Sequence, residues 1–407
     1  MSNIPIPDPS QNIAQIERKK IIILLVVCLF VIVIFAFALN NSVIFKHLYS
    51  DIFLRWYATT KLFSEGRNLY DPKNAAEMWK IAFGKNPWGY ETNFFYPAHL
   101  LVFTAPLALL PYRVAHLIWT IFVQVFYFAS LFLSIRRSKW PSNSADIGVF
   151  MALNVVSLPF IFHTIWGQFN TIGMLGLVLC FLALCDERYA LAGAFAVSLT
   201  FKPQNDFFVL LFLLFWSLWQ KKRWPFIFGF GVVSLLCWLF AELLQPGWVM
   251  AFIASLGHYT HIQSVVDQWW NPGQVTAIAL VLGLVSIFFW KREAHPKSVA
   301  FMVCVTLSMA IWDLIVPIYG WVHSVFLVLA IVWLVPLWQK HFPPYSKYLV
   351  YSFIFLFVFG WLCFFLNFAF PAGRLLLTWS ELTYKGLFPF LIMVFSIPLL
   401  WKRNSYD

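Results

Sequence analysis

The chain has 407 residues, of which 61% are hydrophobic, 20% aromatic and only 11% charged. A soluble domain is nearer half apolar and a quarter charged, so ordinary soluble globules are excluded, as are disordered, collagenous and coiled-coil chains. The net charge of +11 is carried largely by short basic clusters between apolar runs. These are Arg18-Lys19-Lys20, Arg136-Arg137-Lys139, Lys221-Lys222-Arg223, Lys291-Arg292 with Lys297, and Lys402-Arg403. This placement follows the positive-inside rule and the attraction of anionic lipid headgroups, and argues against nucleic acid as a partner. About twelve spans of roughly 20 residues would account for the apolar fraction. The expectation is an all-α, polytopic membrane protein forming a single domain over residues 1–407.

In chain order, spans are predicted near 21–39, 98–135, 147–166, 170–184, 189–201, 206–220, 225–243, 274–290, 297–314, 322–338, 347–367 and 386–401. The first follows a polar leader and ends near Ala36-Phe37-Ala38, which looks like a cleavage triplet. Its apolar run is long for a signal peptide, so an uncleaved span is expected. Residues 98–135 are broken by Pro106 and Pro111 and long enough for two crossings, but two would put Arg136-Arg137-Lys139 outside. One net crossing is therefore expected, a short helix followed by a full span. Both termini then fall on the cytoplasmic side. Residues 40–97 and 244–273 become two outer features too large to be connectors, and long ordered loops usually carry function. The six cysteines make no CxxC pair and lie in or beside apolar runs, so packing is their expected role.

Within the first outer loop, Ile52, Trp56 and Phe63 recur at helical spacing and Gly66 suits a C-terminal stop, which predicts an amphipathic helix on the membrane surface. Asp51 and Arg55 share one face of its first turn, where spacing alone is satisfied by a solvated ion pair as well as by a functional one. Asn68-Leu69-Tyr70-Asp71-Pro72 follows, then Tyr96-Pro97 at the mouth of a span, an interfacial anchor and helix start. Trp166-Gly167-Gln168-Phe169-Asn170 falls at a short outer turn, where Gln168 and Asn170 offer the amide groups a sugar site needs, or simply cap a helix. Lys202 ends a span on the outer side, placed either to snorkel or to meet a lipid phosphate. Asp313 follows an apolar span, and Pro317 to His323 opens the next. His258, His261 and Asp267 share the second outer loop, but no third metal ligand is placed beside the histidine pair, so no metal site is expected.

Taken as an ordered set, Asp51, Tyr70-Asp71, Tyr96-Pro97, Pro106-Leu107-Ala108-Leu109-Leu110-Pro111, Gly167-Gln168-Phe169-Asn170, Ala192-Gly193 and Lys202-Pro203 resemble glycosyltransferase family 87, the polyprenyl-phosphate-mannose-dependent mannosyltransferases of the GT-C superfamily. The resemblance runs from about residue 21 to 230. Beyond it, Pro317 to His323 looks like the family's Pro-x-Ser-Trp-x-His-His segment, with Trp321 and His323 matching, no evident serine, the spacing shifted by one, and Ser324 where a second histidine is expected.

The resemblance implies a GT-C helical bundle with its cavity on the extracytoplasmic face of a cell inner (plasma) membrane. It implies a lipid-phosphate sugar donor, in keeping with the lack of a nucleotide-binding loop; no cofactor is expected, and the sequence leaves any metal requirement open. Asp51 takes the role of catalytic base. Arg55, Lys202, His323 and Arg374 are candidates for the donor phosphate, and Tyr96, Gln168, Asn170 and Asp313 for the sugar or acceptor. The expected reaction moves a hexose, with mannose the expected sugar, to a glycan or glycolipid acceptor with inversion. The rivals are the same chemistry on another sugar, a lipid or glycan transporter, and an O-antigen ligase-like enzyme. A transporter should carry charges through several spans, whereas here the polar groups gather at the outer mouth.

Overall fold

The computed structural model describes residues 32–34, 36–38, 50–84, 94–138, 140, 144–264, 281, 283–285, 291–315, 321–369 and 382–401. Every regular element among them is helical. The α-helices are α1 (Asp51–Glu65), α2 (Pro72–Phe83), α3 (Leu101–Ala108), α4 (Tyr112–Ser138), α5 (Ser144–Val155), α6 (Leu158–Ile165), α7 (Asn170–Cys185) and α8 (Tyr189–Ala196). They continue as α9 (Pro203–Leu218), α10 (Trp224–Leu244), α11 (Trp248–Ser264), α12 (Val299–Ile315), α13 (Val328–His341), α14 (Ser346–Ala369) and α15 (Phe388–Ser396).

Five helical stretches are long and apolar enough to cross a membrane: Tyr112–Ser138, Lys221–Leu244, Val322–His341, Pro343–Leu366 and Leu382–Trp401. A sixth is the pair Ile147–Val155 and Leu158–Ile165, bent by 49°. The expected count of about twelve is not reached among the described residues, and helix length explains much of the gap. The predicted spans at 170–184 and 206–220 form helices of 16 residues each, and 297–314 forms one of 17. At 1.5 Å per residue these cover about 24–26 Å, short of a hydrocarbon core of roughly 30 Å. The predicted span at 189–201 is eight residues of α-helix continued by a 3-10 turn, Val197–Thr200. Predicted spans 21–39 and 274–290 fall largely outside the described residues.

The stretch 98–135 forms a short helix closed by Leu109 and Leu110 and then the 27-residue α4, the pattern expected of one net crossing. The segment 40–97 contains the predicted helix as α1, ended by Gly66 in the left-handed conformation. Its Ile52, Phe53, Leu54 and Ala58 are buried, so its apolar side is covered by protein, mainly α3, α2 and α4. The turn after it is built from local hydrogen bonds. Asn68 Oδ1 accepts from Tyr70 N at 2.8 Å, and Asp71 caps α2 by accepting from Lys73 N at 2.9 Å, with Pro72 in the first turn. The segments 40–97 and 244–273 meet: Leu69 N donates to Gln245 Oε1 at 3.1 Å, and the rings of Tyr70 and Phe252 lie 6.0 Å apart.

Two large apolar cores result, with a small third cluster of Phe53, Leu54, Ala75 and Met78 between α1 and α2. The larger gathers the second half of α4 with α6 to α9 and α12 to α15, with α13 almost wholly enclosed. The smaller joins Ile52, Tyr96, Trp119, Phe169, Phe201 and Trp248 on the side of the first loop. By contrast, α10 is mostly exposed along its length, as a lipid-facing helix should be. It meets α8 backbone to backbone: a Cβ on Gly193 would sit 1.9 Å from Phe226 O, and one on Gly229 would sit 1.9 Å from Ala190 O. Small residues at such crossings let apolar helices approach closely where no hydrophobic force drives them together. The Ala192-Gly193 pair of the sequence motif is therefore accounted for by packing. Among the described cysteines Cys180, Cys185, Cys304 and Cys363 are buried and none is in a disulfide.

Candidate active site

Several helix ends converge at the edge of the smaller core. Chain entry into α1 is fixed by Asp51 N donating to Trp166 O at 2.8 Å, which joins the start of the first-loop helix to the turn after α6. That turn is closed by Gly167, whose φ of 61° is left-handed. Gly167 N donates to Thr164 O at 3.2 Å and Gln168 N to His163 O at 3.1 Å, the two bonds of a Schellman stop. A side chain on Gly167 would also press on Ile52 Cγ2 at 3.0 Å and Trp119 Cδ1 at 3.3 Å. Trp119 Nε1 donates to Gly167 O at 2.8 Å and locks the turn from α4. The local sequence thus ends one helix and delivers Gln168 and Asn170 inward within three residues.

What they meet is a continuous polar chain. Gln168 Nε2 donates to Asp51 Oδ2, and Gln168 Oε1 accepts from Lys202 Nζ. Lys202 Nζ also donates to Asn170 Oδ1 at 2.7 Å. Asn170 Nδ2 in turn donates to Val322 O at 3.2 Å and lies 3.4 Å from His323 Nδ1. Asp51, Gln168, Lys202, Asn170 and His323, predicted from distant parts of the sequence, are brought together.

Their exposures differ sharply. The Asp51 side chain is 43% exposed, while Lys202 behind it is 3% exposed. Arg55 is also buried rather than solvated: its NH1 donates to Asp51 O at 2.8 Å and lies 3.7 Å from Asp51 Oδ1, and its guanidinium stacks on Tyr96 with 4.5 Å to the ring centroid. Lys202 Nζ is 5.9 Å from the same centroid. Tyr96 is thus an aromatic floor shared by two cations, itself held by Tyr70, whose hydroxyl donates to Tyr96 O at 2.9 Å.

Lys202 occupies the turn before α9, outside the spanning helices. Burial pulls its ammonium from the ordinary lysine range down to about 7. The carboxylates of Asp51 and Asp206 oppose that fall, and Arg55 and Lys385 add to it. One partly open carboxylate beside a buried, adjustable cation gives a proton acceptor next to an anion site.

Asp313 stands on a second branch of the network. Its Oδ1 is 3.3 Å from Lys385 Nζ, which also donates to Asp313 O at 3.0 Å. Ser324, next to His323, donates to Asp313 Oδ2 at 3.4 Å and to Tyr384 O at 3.0 Å. Arg374, Asp267, Pro317 and the side chains of His258, His261 and Trp321 lie outside the described residues.

Sequence reasoning passed over three groups. Lys385 carries no motif or spacing signal that marks it in the sequence. Asp206 and His163 are fully buried within electrostatic reach of Lys202, with no hydrogen-bond partner for either side chain. The signal for Asp206 was present: a carboxylate four residues after Lys202, inside an otherwise apolar run. Asp206 also packs against α7, where a Cβ on Gly173 would sit 2.1 Å from its Oδ2.

The profile of glycosyltransferase family 87 matches residues 94–363, about two thirds of the chain. The chain belongs to that family. No curated protein and no solved structure matches it. As a family 87 member with several membrane-length apolar helices, it is a membrane glycosyltransferase. The matched region starts later and ends later than the motif order suggested. It includes Tyr96, Gln168, Asn170, Lys202, Asp313 and His323, while Asp51 and Arg55 precede it and are joined to it by Gln168 and the Trp166 carbonyl.

Proposed function

We propose that this family 87 enzyme transfers a hexose, with mannose the first sugar to test, from a polyprenyl-phosphate donor to a glycan or glycolipid acceptor at the extracytoplasmic mouth of a GT-C bundle in the plasma membrane. The observation that carries the reading is the bridge from Asp51 through Gln168 to Lys202, which sets a partly exposed carboxylate against a buried cation. In the reaction an acceptor hydroxyl oxygen forms a bond to the anomeric carbon as the bond from that carbon to the phosphate oxygen breaks. Asp51 takes the hydroxyl proton, so that attack does not have to generate a free oxonium. With Oδ2 held by Gln168, Oδ1 is the atom that receives it. The electron pair leaves on the phosphate, which departs as a polyprenyl phosphate carrying one more negative charge. Lys202, with Arg55, His323 and Arg374, meets that charge. A single displacement inverts the anomeric centre. Tyr96 and Asp313 are the residues tested first for contact with sugar or acceptor, because the amides of Gln168 and Asn170 are engaged by protein groups.

The test is transfer from radiolabelled polyprenyl-phosphate mannose by purified protein in nanodiscs, with a crude lipid and glycan extract as acceptor, wild type beside Asp51→Asn. Transfer by the wild type and its loss by a factor of about 10²–10⁴ in the variant are expected, the usual contribution of a general base. Near-normal turnover by Asp51→Asn removes Asp51 from the role of base. Transfer from another polyprenyl-phosphate sugar alone overturns mannose and keeps the mechanism. No transfer from any monophosphate donor overturns the reading in favour of a ligase using diphosphate-linked glycans or a transporter.

A further inference from the structure

The hydrogen-bond inventory around Asn170 fixes something that distances alone do not. Asn170 is fully buried at the first position of α7. Its nitrogen faces the Val322 carbonyl, which can only accept, and its oxygen accepts from Lys202 Nζ on the other side. The amide therefore has one orientation. Its nitrogen, which can only donate, lies 3.4 Å from His323 Nδ1, so that ring atom has to present a lone pair. In the neutral imidazole the proton then sits on Nε2. The backbone bearing the ring is held from the other side, because Ser324 is tied to Asp313 and to the Tyr384 carbonyl.

We propose that Asn170 is a positioning residue that fixes His323 as the Nε2–H tautomer and couples it to Lys202, so that the two present one paired donor array to a phosphate. The phosphate is that of the lipid-linked donor, and this part rests on the reading above, while the tautomer does not. Asn170 is thereby spent on protein partners: both faces of its amide are engaged, and it has no donor left for a sugar hydroxyl. Gln168 is built the same way, with its nitrogen on Asp51 and its oxygen on Lys202. The Gly167-Gln168-Phe169-Asn170 segment then aligns the reacting side chains with one another.

Two readouts test this. The first needs no substrate: the ¹⁵N spectrum of histidine-labelled protein in nanodiscs, with His323→Gln identifying the resonance. The expected wild-type signature is a protonated Nε2 and a bare Nδ1. In Asn170→Asp the donor facing the ring becomes an acceptor, and the proton should appear on Nδ1. A wild-type ring protonated on Nδ1, or an unchanged spectrum in Asn170→Asp, overturns the proposal.

The second readout is kcat/KM with polyprenyl-phosphate mannose. Glutamine reaches the Nε2 position with an amide N–H and asparagine reaches only Nδ1, so His323→Gln should keep at least about ten times the activity of His323→Asn. Asn170→Asp should fall by about 10²–10³, the loss seen when one oxyanion donor is removed. Equal activity of the two His323 variants, or wild-type activity in Asn170→Asp, overturns the coupling. An inactive wild type is a failure of the proposed donor instead, and leaves the spectrum to decide the tautomer.

Discussion

Lys202 gives the most quantitative prediction. Its ammonium, pulled down to about 7 by burial, faces Asp51 and Arg55 from α1, Asp206 from α9, Lys385 from the π-helix Leu382–Leu387 and the buried His163 from α6. A polyprenyl-phosphate sugar is a phosphodiester with one fixed charge across the neutral range, so a pH dependence of its binding there belongs to the protein. If only the ammonium form binds, the apparent Kd grows as the charged fraction of Lys202 shrinks. Relative to the low-pH limit it is weaker by about twofold at pH 7, about 11-fold at pH 8 and about 100-fold at pH 9. The sign follows from a lowered cationic pKa: affinity is full below about 7 and is lost as pH rises through it. Between pH 7 and 9 the fall is about 50-fold, or about 2.3 kcal/mol. The assay is equilibrium binding of polyprenyl-phosphate mannose to protein in nanodiscs from pH 6 to 9, wild type beside Lys202→Arg. The guanidinium does not deprotonate in this range, so the variant should bind with a flat profile, whatever its absolute affinity. A flat wild-type profile would refute the assignment of Lys202 to the phosphate. A slope that persists in Lys202→Arg would mean that another group titrates.

Two structural predictions accompany it. Gly193→Ala would place a Cβ 1.9 Å from Phe226 O and force α8 and α10 apart, so a loss of about 1–3 kcal/mol is expected as a lower melting temperature. Gly231→Ala, on α10 with nothing within 4 Å, is the control and should melt like the wild type. Equal melting of the two variants would contradict the backbone contact. Asp313→Asn and Lys385→Met should each destabilise by about 3–5 kcal/mol, since each leaves a largely buried charge unpaired, while the double variant should recover part of the loss. Thermal unfolding of the four proteins checks this cycle, and additive losses would show that the two charges are not coupled.

Much of the local architecture was legible in the sequence because it is decided by neighbouring residues. Gly66 stops α1 through a left-handed φ that glycine adopts freely, and Asp71 caps α2 with Pro72 behind it. The pairing of Asp51 with Arg55 was legible as a spacing, but not that Arg55 is buried on Tyr96 instead of solvated. The length of each apolar helix was not legible. Apolar runs such as 170–184 and 206–220 look like membrane crossings by hydropathy, yet they form helices of only 16 residues, and hydropathy cannot tell a lipid-facing helix from one enclosed by other helices.

The candidate residues Asp51, Gln168, Asn170, Lys202 and His323 could all be named from composition and motif order, and the sequence determines that they are polar groups at the ends of apolar segments. What each one does was decided by tertiary structure alone. Gln168 meets Asp51 across 117 residues of chain, and Asn170 meets Val322 across 152. No local propensity encodes such contacts. They exist because α6 turns at Gly167, because α1 docks on that turn, and because the buried amides, cut off from water, must find partners among whatever the fold brings within reach.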